Sequence, residues 1–236
     1  EMKGEFMNIA AHELKTPLVP IISYLEMMLH DTNLTEKQMK KMKICLASAK
    51  REANLVADIL DISKIDAGSM KMEFDEVDLI ELLNEASEGM LPVTEMKSLY
   101  LKTDLPEKLP PVKGDYRRIM QVISNLINNA TKFTEEGGIT LKAVNKGSKI
   151  LVSVIDTGIG IQKSDLNKLF EKFFQVDSTA RRKQGGTGLG LAICKGIVEG
   201  HKGQLWVESE GIGKGTSFNF TIPIFKATLL CWKSRS

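Results

Sequence analysis

Three short clusters in the second half of the chain carry residue types suited to holding a charged ligand. In the first, residues 125–133, the side chains of Asn125, Asn129 and Lys132 are spaced i, i+4 and i+7 and share one helix face. Amide oxygens suit a hard cation such as Mg²⁺, and the lysine adds a positive charge for a phosphate. Taken alone, this cluster also fits an ordinary polar helix face.

The other two clusters are rich in glycine. Asp156 follows a predicted strand and opens the sequence D-T-G-I-G, in which a carboxylate can accept a hydrogen bond from an amine, and Gly158 and Gly160 let the backbone approach a ligand. The sequence G-T-G-L-G-L at 186–191 precedes a predicted helix, whose first N–H groups can bind an anion. It lacks the lysine of a Walker A loop and does not follow a strand as a Rossmann fingerprint does. Taken alone, D-T-G-I-G also fits a plain turn, and a lone glycine run is weak evidence.

A fourth candidate is His12, within the sequence F-M-N-I-A-A-H-E-L-K-T-P at 6–17. The apolar residues around it are spaced alternately by four and three, which is typical of the apolar seam of a helix in a bundle: Met7, Ala11, Leu14, Leu18, Ile21, Leu25 and Met28. His12 lies beside this seam, at heptad position b, so we expect it to face water or a second domain. A lone histidine is more often a surface or core residue than a catalytic one.

The elements that position His12 are predicted to be two antiparallel helices. The first covers about residues 2–30 and continues through Pro17 and Pro20 with a bend. Thr35 and Gln38 form a capping box that opens the second helix, whose own apolar seam ends before Gly68. Because such a hairpin cannot bury both seams alone, we predict that two copies pair into a dimeric four-helix bundle. The alternative is a long hairpin packed on the second domain.

After Gly68 the pattern changes to short strands between helices. We predict strands at 70–77, 99–103, 138–144, 149–155, 204–208 and 216–223, and helices at 78–94, 115–133 and 192–199. Residues 105–113, with three prolines, read as an extended connection. The fold class is therefore α+β: the helical hairpin at 1–69 is followed by an α/β sandwich at 70–225, a mixed sheet with helices on one face. Residues 226–236 are a tail or linker.

Composition excludes several classes of protein. The 236 residues carry a net charge of +2, which gives no electrostatic case for nucleic acid as a partner. No stretch approaches the ~20 apolar residues of a transmembrane helix, and three widely spaced cysteines indicate reduced thiols. We expect a soluble, cytoplasmic piece with no membrane span. Because its first residues are already helix-forming, we expect a longer protein with an upstream sensor module.

Together and in this order, the motifs resemble those of two-component sensor histidine kinases. Residues 6–17 resemble the H-box, and the asparagine cluster resembles the N-box. The sequences D-T-G-I-G, F-x-x-F-F at 170–174, G-T-G-L-G-L and G-K-G-T at 213–216 resemble the glycine boxes and F-box of the family's ATP-binding domain. The resemblance covers residues ~5–224. One departure is Gln175, where many members carry arginine; Arg181 or Arg182 would take its place.

The resemblance implies an autophosphorylating kinase with ATP and Mg²⁺ as cofactors. His12 would be the phosphoacceptor, Glu13 its hydrogen-bond partner, and Asn129 the metal ligand. The phosphoryl group would pass to an aspartate of a response-regulator receiver domain, and Glu13-x-x-Thr16 matches the family's phosphatase motif, with Thr16 orienting a water. The implied ATP-binding residues are Asn125, Asn129, Lys132, Phe133, Asp156, Gly158, Gly160, Phe174, Arg181, Arg182, Gly186, Thr187, Gly188, Leu189, Gly190 and Thr216.

Two other classes of function stay open at this point. The same ATP fold occurs in type II topoisomerases, mismatch-repair ATPases and heat-shock chaperones, in which ATP drives a conformational change; that class leaves His12 and its hairpin unexplained. The other is a degenerate kinase that serves only as a dimer scaffold, and the intact His12, Asn129 and Asp156 argue against it.

Overall fold

The structure is a computed structural model that describes residues 2–30, 33–176 and 187–225, with side chains from residue 13 onward. It divides into two compact units, residues 1–70 and 71–236. The predicted lid residues Arg181, Arg182 and Gly186, the turn residues Asp31 and Thr32, and the tail from 226 lie outside the described residues. Nowhere in the described part is a helix both long and apolar enough to span a bilayer.

The first unit is a pair of helices, α1 (Met2–Leu29) and α2 (Glu36–Asp66). As predicted, α1 continues through Pro17 and Pro20. The capping box is also confirmed: the Thr35 hydroxyl accepts a hydrogen bond from the Gln38 N–H, and the Gln38 side chain accepts one from the Thr35 N–H. At the other end of α2, Gly68 adopts a φ of 61°, the left-handed conformation that ends many helices.

The second unit alternates helices and short strands. Its elements are β1 (Asp75–Val77), α3 (Leu79–Met96), β2 (Tyr100–Asp104), β3 (Val112–Gly114), α4 (Tyr116–Phe133), β4 (Gly138–Asn145), β5 (Lys149–Asp156), a 3₁₀ turn (Leu166–Lys168), α5 (Gly190–Gly200), β6 (Leu205–Glu208) and β7 (Thr216–Pro223). Two aspartates begin the longer helices. The carboxylate of Asp78 accepts N–H groups of the first turn of α3, and that of Asp115 accepts the Arg118 N–H.

Five strands form one mixed sheet in the order β2-β4-β5-β7-β6. Among these described pairs, β2 and β4 are parallel, and the others, β4–β5, β5–β7 and β6–β7, are antiparallel. Register aligns Leu141, Val154 and Phe218 across three strands, and all three are buried. Helices α3, α4 and α5 pack on this face of the sheet. The α+β architecture with helices on one face is therefore confirmed.

Three predicted boundaries were wrong, and the first two errors involve long-range contacts. The strand predicted at 70–77 is only β1, because the Glu73 N–H donates to the Asp115 carboxylate instead of joining a ladder. The connection at 105–113 ends in β3, which pairs with β1. The helix predicted at 192–199 is longer at both ends, because α5 begins within the glycine run at Gly190.

Candidate nucleotide site

Helix α4 positions the amide cluster, because its two faces have different partners. The apolar face is buried in the second unit and comprises Ile119, Val122, Ile123, Leu126, Ile127 and Ala130. On the other face, Asn129 Nδ2 donates to Asn125 Oδ1 at 3.2 Å. This bond assigns the orientation of the Asn129 amide. Its nitrogen faces Asn125, and its Oδ1 does not take part in the bond. Lys132, one turn further on, is half-buried, and burial lowers the pKa of its ammonium group.

Asp156 lies at the end of β5 and is 6% exposed. Its Oδ1 accepts hydrogen bonds from the N–H of Gly158 at 2.8 Å and from the N–H of Thr216 at 3.1 Å. Burial raises the pKa of this carboxyl to about 6, and the two N–H bonds oppose that rise. Both bonds end on Oδ1, so Oδ2 is the oxygen that remains to meet a donor from a ligand.

The loop after Asp156 is fixed by backbone contacts on two sides. The Ile159 N–H donates to the carbonyl of Phe133 at the end of α4, at 3.1 Å. On the other side, the N–H of Gly215 donates to the Gly158 carbonyl at 3.0 Å. Gly160 has a φ of 66°, and a Cβ there would overlap the carbonyl of Gly211. The loop therefore joins α4 to the β6–β7 turn, and glycine is required by this close approach.

The glycine run before α5 lies against α4. A Cβ on Gly190 would meet the Asn125 amide nitrogen at 2.5 Å, so the first residue of α5 and the amide cluster are adjacent. Leu189 is buried, and the Thr187 hydroxyl accepts its N–H at 3.2 Å. The Gly188 carbonyl accepts the N–H of Phe173 at 2.9 Å. Phe174 follows, half-buried, in a turn closed by its N–H to the Glu171 carbonyl.

The structure thus brings the three sequence clusters together. α4 contacts the loop after Asp156 through Phe133 and contacts the glycine run through Asn125, while β7 contributes the Thr216 N–H. His12 and its neighbours belong to the other unit. The backbone of His12 lies in α1, its side chain is outside the described part, and Glu13 and Thr16 are exposed.

Two features of the site were not predicted from the sequence: the hydrogen bonds of Thr157 and the backbone conformation of Phe173. The Thr157 hydroxyl accepts the Gly138 N–H and donates to the Glu136 carbonyl, both at 3.0 Å, and so ties the D-T-G-I-G loop to the start of β4. Phe173 has a φ of 63°, a strained conformation for a residue other than glycine. The N–H of the same residue donates to the Gly188 carbonyl. A threonine inside a glycine motif is a usable signal for the first; nothing local indicates the second.

Comparison with known proteins identifies the family. Residues 2–68 match the His Kinase A (phospho-acceptor) domain model, and residues 114–226 match the model of histidine kinase-, DNA gyrase B-, and HSP90-like ATPases. The catalytic domain of the histidine kinase ThkA, in a nucleotide-free structure, is 33% identical with a TM-score of 0.57, over 65% of this chain and 97% of that domain. This chain belongs to the histidine kinase family.

Two larger members extend the match across both units. The circadian input-output histidine kinase CikA of Synechococcus elongatus is 36% identical over 226 residues, 94% of this chain. Full-length ShkA, solved in complex with AMPPNP, is 31% identical with a TM-score of 0.80, again over 94% of this chain. The chain spans 30% of the length of CikA and 46% of that of ShkA.

The buried Asp156 charge gives the first prediction. Asp156→Asn keeps an oxygen for the Gly158 and Thr216 N–H groups and removes the charge whose burial raises the pKa. We expect it to raise the free energy of unfolding of the second unit at pH 7 by about 1–3 kcal/mol. In the folded wild type the carboxyl takes up its proton as the pH falls through its pKa of about 6. The gain in unfolding free energy should therefore shrink between about pH 6 and pH 3.8, which is the ordinary pKa of aspartate. Urea unfolding at pH 8 and pH 5 measures both effects.

The control for this experiment is Asp75→Asn, at an exposed position in β1, which should change stability by no more than about 0.5 kcal/mol. A loss of stability in Asp156→Asn at pH 8 would show that the charged form, and not the neutral one, is favoured by the folded protein.

Proposed function

We propose that this chain is an ATP-dependent autophosphorylating kinase core, in which the second unit binds ATP and the γ-phosphoryl group passes to His12. The observation that carries the proposal is the convergence of Asp156, the Asn125–Asn129 amide pair and the start of α5 on one region of the second unit. The family models and the AMPPNP complex of ShkA support a nucleotide as the ligand.

Asp156 is the proposed adenine acceptor. Its Oδ1 already accepts two backbone N–H groups, so Oδ2 is the atom that would accept a hydrogen bond from the exocyclic amine of adenine. Because the carboxylate is buried, such a bond forms in a low-dielectric setting, where hydrogen bonds to charged groups are stronger than in water.

The phosphates are proposed to lie between α4 and the first residues of α5. The first N–H groups of α5 have no partner within the helix and form its positive dipole end, and Lys132 offers a cation. Burial lowers the pKa of Lys132, and a bound phosphate would offset that cost. Asn129 Oδ1 and phosphate oxygens fit the oxygen preference of Mg²⁺, which when bound supplies neutralisation of phosphoryl charge. Arg181, Arg182 and Gly186 remain predictions of the sequence for this site.

His12 is proposed to act as the nucleophile in its neutral form. One imidazole nitrogen forms a bond to the γ-phosphorus while the bond from that phosphorus to the bridging oxygen breaks, and ADP leaves. Glu13, the next residue and exposed, would hydrogen-bond the other ring nitrogen and stabilise its positive charge. An imidazole with an ordinary pKa of ~6.5 is mostly neutral at pH 7. Positioning of the two reactants would supply most of the acceleration.

Incubation with γ-labelled ATP and Mg²⁺ tests the acceptor. We expect acid-labile, base-stable label on the wild type and none on His12→Gln, because glutamine has no nucleophilic nitrogen. His30→Gln, an exposed histidine at the end of α1, is the matched control and should label as the wild type does. Equal label on His12→Gln would place the acceptor elsewhere. ATP hydrolysis without any protein label would favour the conformational ATPases, and absence of nucleotide binding would favour a scaffold.

We further propose that the phosphoryl group passes to a receiver-domain aspartate and that the chain also removes it. Thr16 lies one helical turn after His12 on α1 and is exposed, so the two positions share a helix face. A hydroxyl at this position can orient a water molecule against the acyl phosphate of a docked receiver. This role does not require the nucleophilicity of His12, which separates the two activities.

Thr16→Ala tests the phosphatase proposal. The substrate is a receiver domain that the wild-type chain has phosphorylated. We expect Thr16→Ala to remove its phosphate about tenfold more slowly than the wild type does, because the water loses its orienting hydroxyl. Thr16→Ser keeps a hydroxyl and should retain most of the rate. Label on His12 should stay unchanged in both variants. Dephosphorylation by Thr16→Ala at the wild-type rate would refute the role of this hydroxyl.

Exposed apolar residues on the seam of α1 support the proposed homodimer. On α1, Leu18 and Leu25 are half-buried, while Leu14, Ile21 and Met28 are 57%, 47% and 48% exposed. The exposed three are spaced by seven and form one stripe of the helix. Such a stripe in water is unfavourable, and a second copy of the hairpin would cover it as in a four-helix bundle. An upstream sensor module acting through α1 stays a prediction.

Ile21→Glu tests the dimer by placing a charge in this stripe. We expect the dimer dissociation constant to rise by a factor of about ten or more, because the carboxylate would have to be desolvated at the interface. Sedimentation over a concentration series measures it. Ser23→Glu, exposed and off the stripe, is the matched control and should leave the association unchanged. Equal association of both variants would exclude the Ile21 stripe as the interface.

A further inference from the structure

His201 is a buried histidine that the proposed phosphotransfer does not use. It follows the last residue of α5 and is 2% exposed. Its Nε2 lies 2.9 Å from the N–H nitrogen of Asp115, and its Nδ1 lies 2.8 Å from the Ile197 carbonyl oxygen. Because a backbone N–H can only donate, Nε2 must accept and the ring proton is assigned to Nδ1, which donates to Ile197. His201 therefore joins α5 to the residue that begins α4.

Asp115 extends this connection to a third segment. Its Oδ1 accepts the Arg118 N–H at 3.1 Å and so caps α4. Its Oδ2 accepts the Glu73 N–H at 3.0 Å. Glu73 lies within a few residues of the start of the second unit, which begins at Lys71. The pair formed by His201 and Asp115, here called the helix joint, therefore links the ends of α4 and α5 to the first residues of the second unit.

Side chains of the same entering segment pack on the joint. The Phe74 ring meets the His201 ring edge-on, with centroids 5.1 Å apart and planes at 62°. A Cβ on Gly200 would lie 3.1 Å from the Met72 sulfur, so this residue also contacts the end of α5. Residues 75–77 then pair with β3. The segment 72–74 is thus held in two ways. The backbone of Glu73 donates to Asp115, and the side chains of Met72 and Phe74 contact the end of α5 and the His201 ring.

The joint lies at the opposite ends of the two helices from the candidate nucleotide site. α4 extends from the joint at Asp115 to Asn125 over ten residues, about 15 Å of helix. α5 extends from the joint at His201 back to Gly190, which lies against Asn125. Between these ends the two helices stay in contact, with Cys194 Sγ of α5 at 3.9 Å from the Val122 carbonyl of α4, so a shift at the joint would be carried along both helices towards Asn125 and Gly190. A change in the entering segment would reach the site by this route.

We propose that His201 is a positioning residue, which fixes the spacing of α4 and α5 at the nucleotide site and passes the state of segment 72–74 to that spacing. This inference deepens the proposed function, and the part of the inference that concerns ATP binding rests on that function. A bundle that pulled Glu73 and Phe74 away from the joint would loosen Asp115, and with it the amide cluster.

A matched pair of substitutions separates positioning from stability. His201→Gln places its amide oxygen where Nε2 accepts the Asp115 N–H, and it gives up the bond to Ile197. His201→Asn keeps a donor for Ile197 and gives up the bond to Asp115. Each variant loses the ring contact with Phe74 and one hydrogen bond, so both should lose similar stability, measured by urea unfolding. Only His201→Asn breaks the link between the helices.

We expect His201→Asn to raise the dissociation constant for ATP about tenfold and His201→Gln to raise it by no more than about twofold. Phe74→Ala should weaken binding in the wild type, and it should add little in His201→Asn because the joint is already broken. Equal ATP affinity of the Gln and Asn variants at equal stability would overturn the proposal. So would full additivity of Phe74→Ala with His201→Asn.

Hydrogen exchange tests the joint without nucleotide. In His201→Asn, but not in His201→Gln, we expect faster exchange at the amide protons of residues 125–132. If the wild type bound no ATP, the proposed function would fail, while this exchange difference would still support the joint. If ATP bound and the exchange of the two variants were the same, the joint would fail and the proposed function would stand.

Discussion

The second unit is organised around one carboxylate that stays buried at the end of a strand. Burying Asp156 is unfavourable, as its raised pKa shows, and the fold offsets the cost by aiming the N–H groups of Gly158 and Thr216 at one oxygen. Delivering those two donors requires the tight loop after β5 and the start of β7 to meet. A buried charge that lowers stability is more common at functional sites than elsewhere in a fold, which fits the role of adenine acceptor proposed for Asp156.

Helix α4 makes the candidate site as rigid as the core. A single helical period places Leu126 and Ile127 in the packed interior and Asn125 and Asn129 on the opposite side. The amides therefore cannot shift without moving buried side chains, which close packing resists. The same rigidity allows a contact at Asp115, at the helix start, to matter at Asn129.

Features governed by neighbouring residues could be predicted from the sequence, while those governed by distant partners could not. The capping box at Thr35, the starts of α3 and α4 near Asp78 and Asp115, and the strands β4 and β5 follow from local sequence and were predicted correctly. Strand β3 follows a proline-rich connection and exists because β1, over thirty residues earlier, pairs with it. The convergence of the glycine run on Asn125 is likewise a property of the packed helices. For the site, residue types were predictable, but the contacts among them were not.

The two units differ in what makes them stable. The second buries large side chains such as Leu82, Ile123 and Phe220 completely, so its core is its own. Among the described apolar residues of the first, Ala49, Val56 and Ile62 are buried, while much of the apolar stripe of α1 meets water. A two-helix unit encloses too little volume to exclude water from both seams. Under the proposed dimer, association supplies the missing core, so folding and assembly of the first unit become one equilibrium.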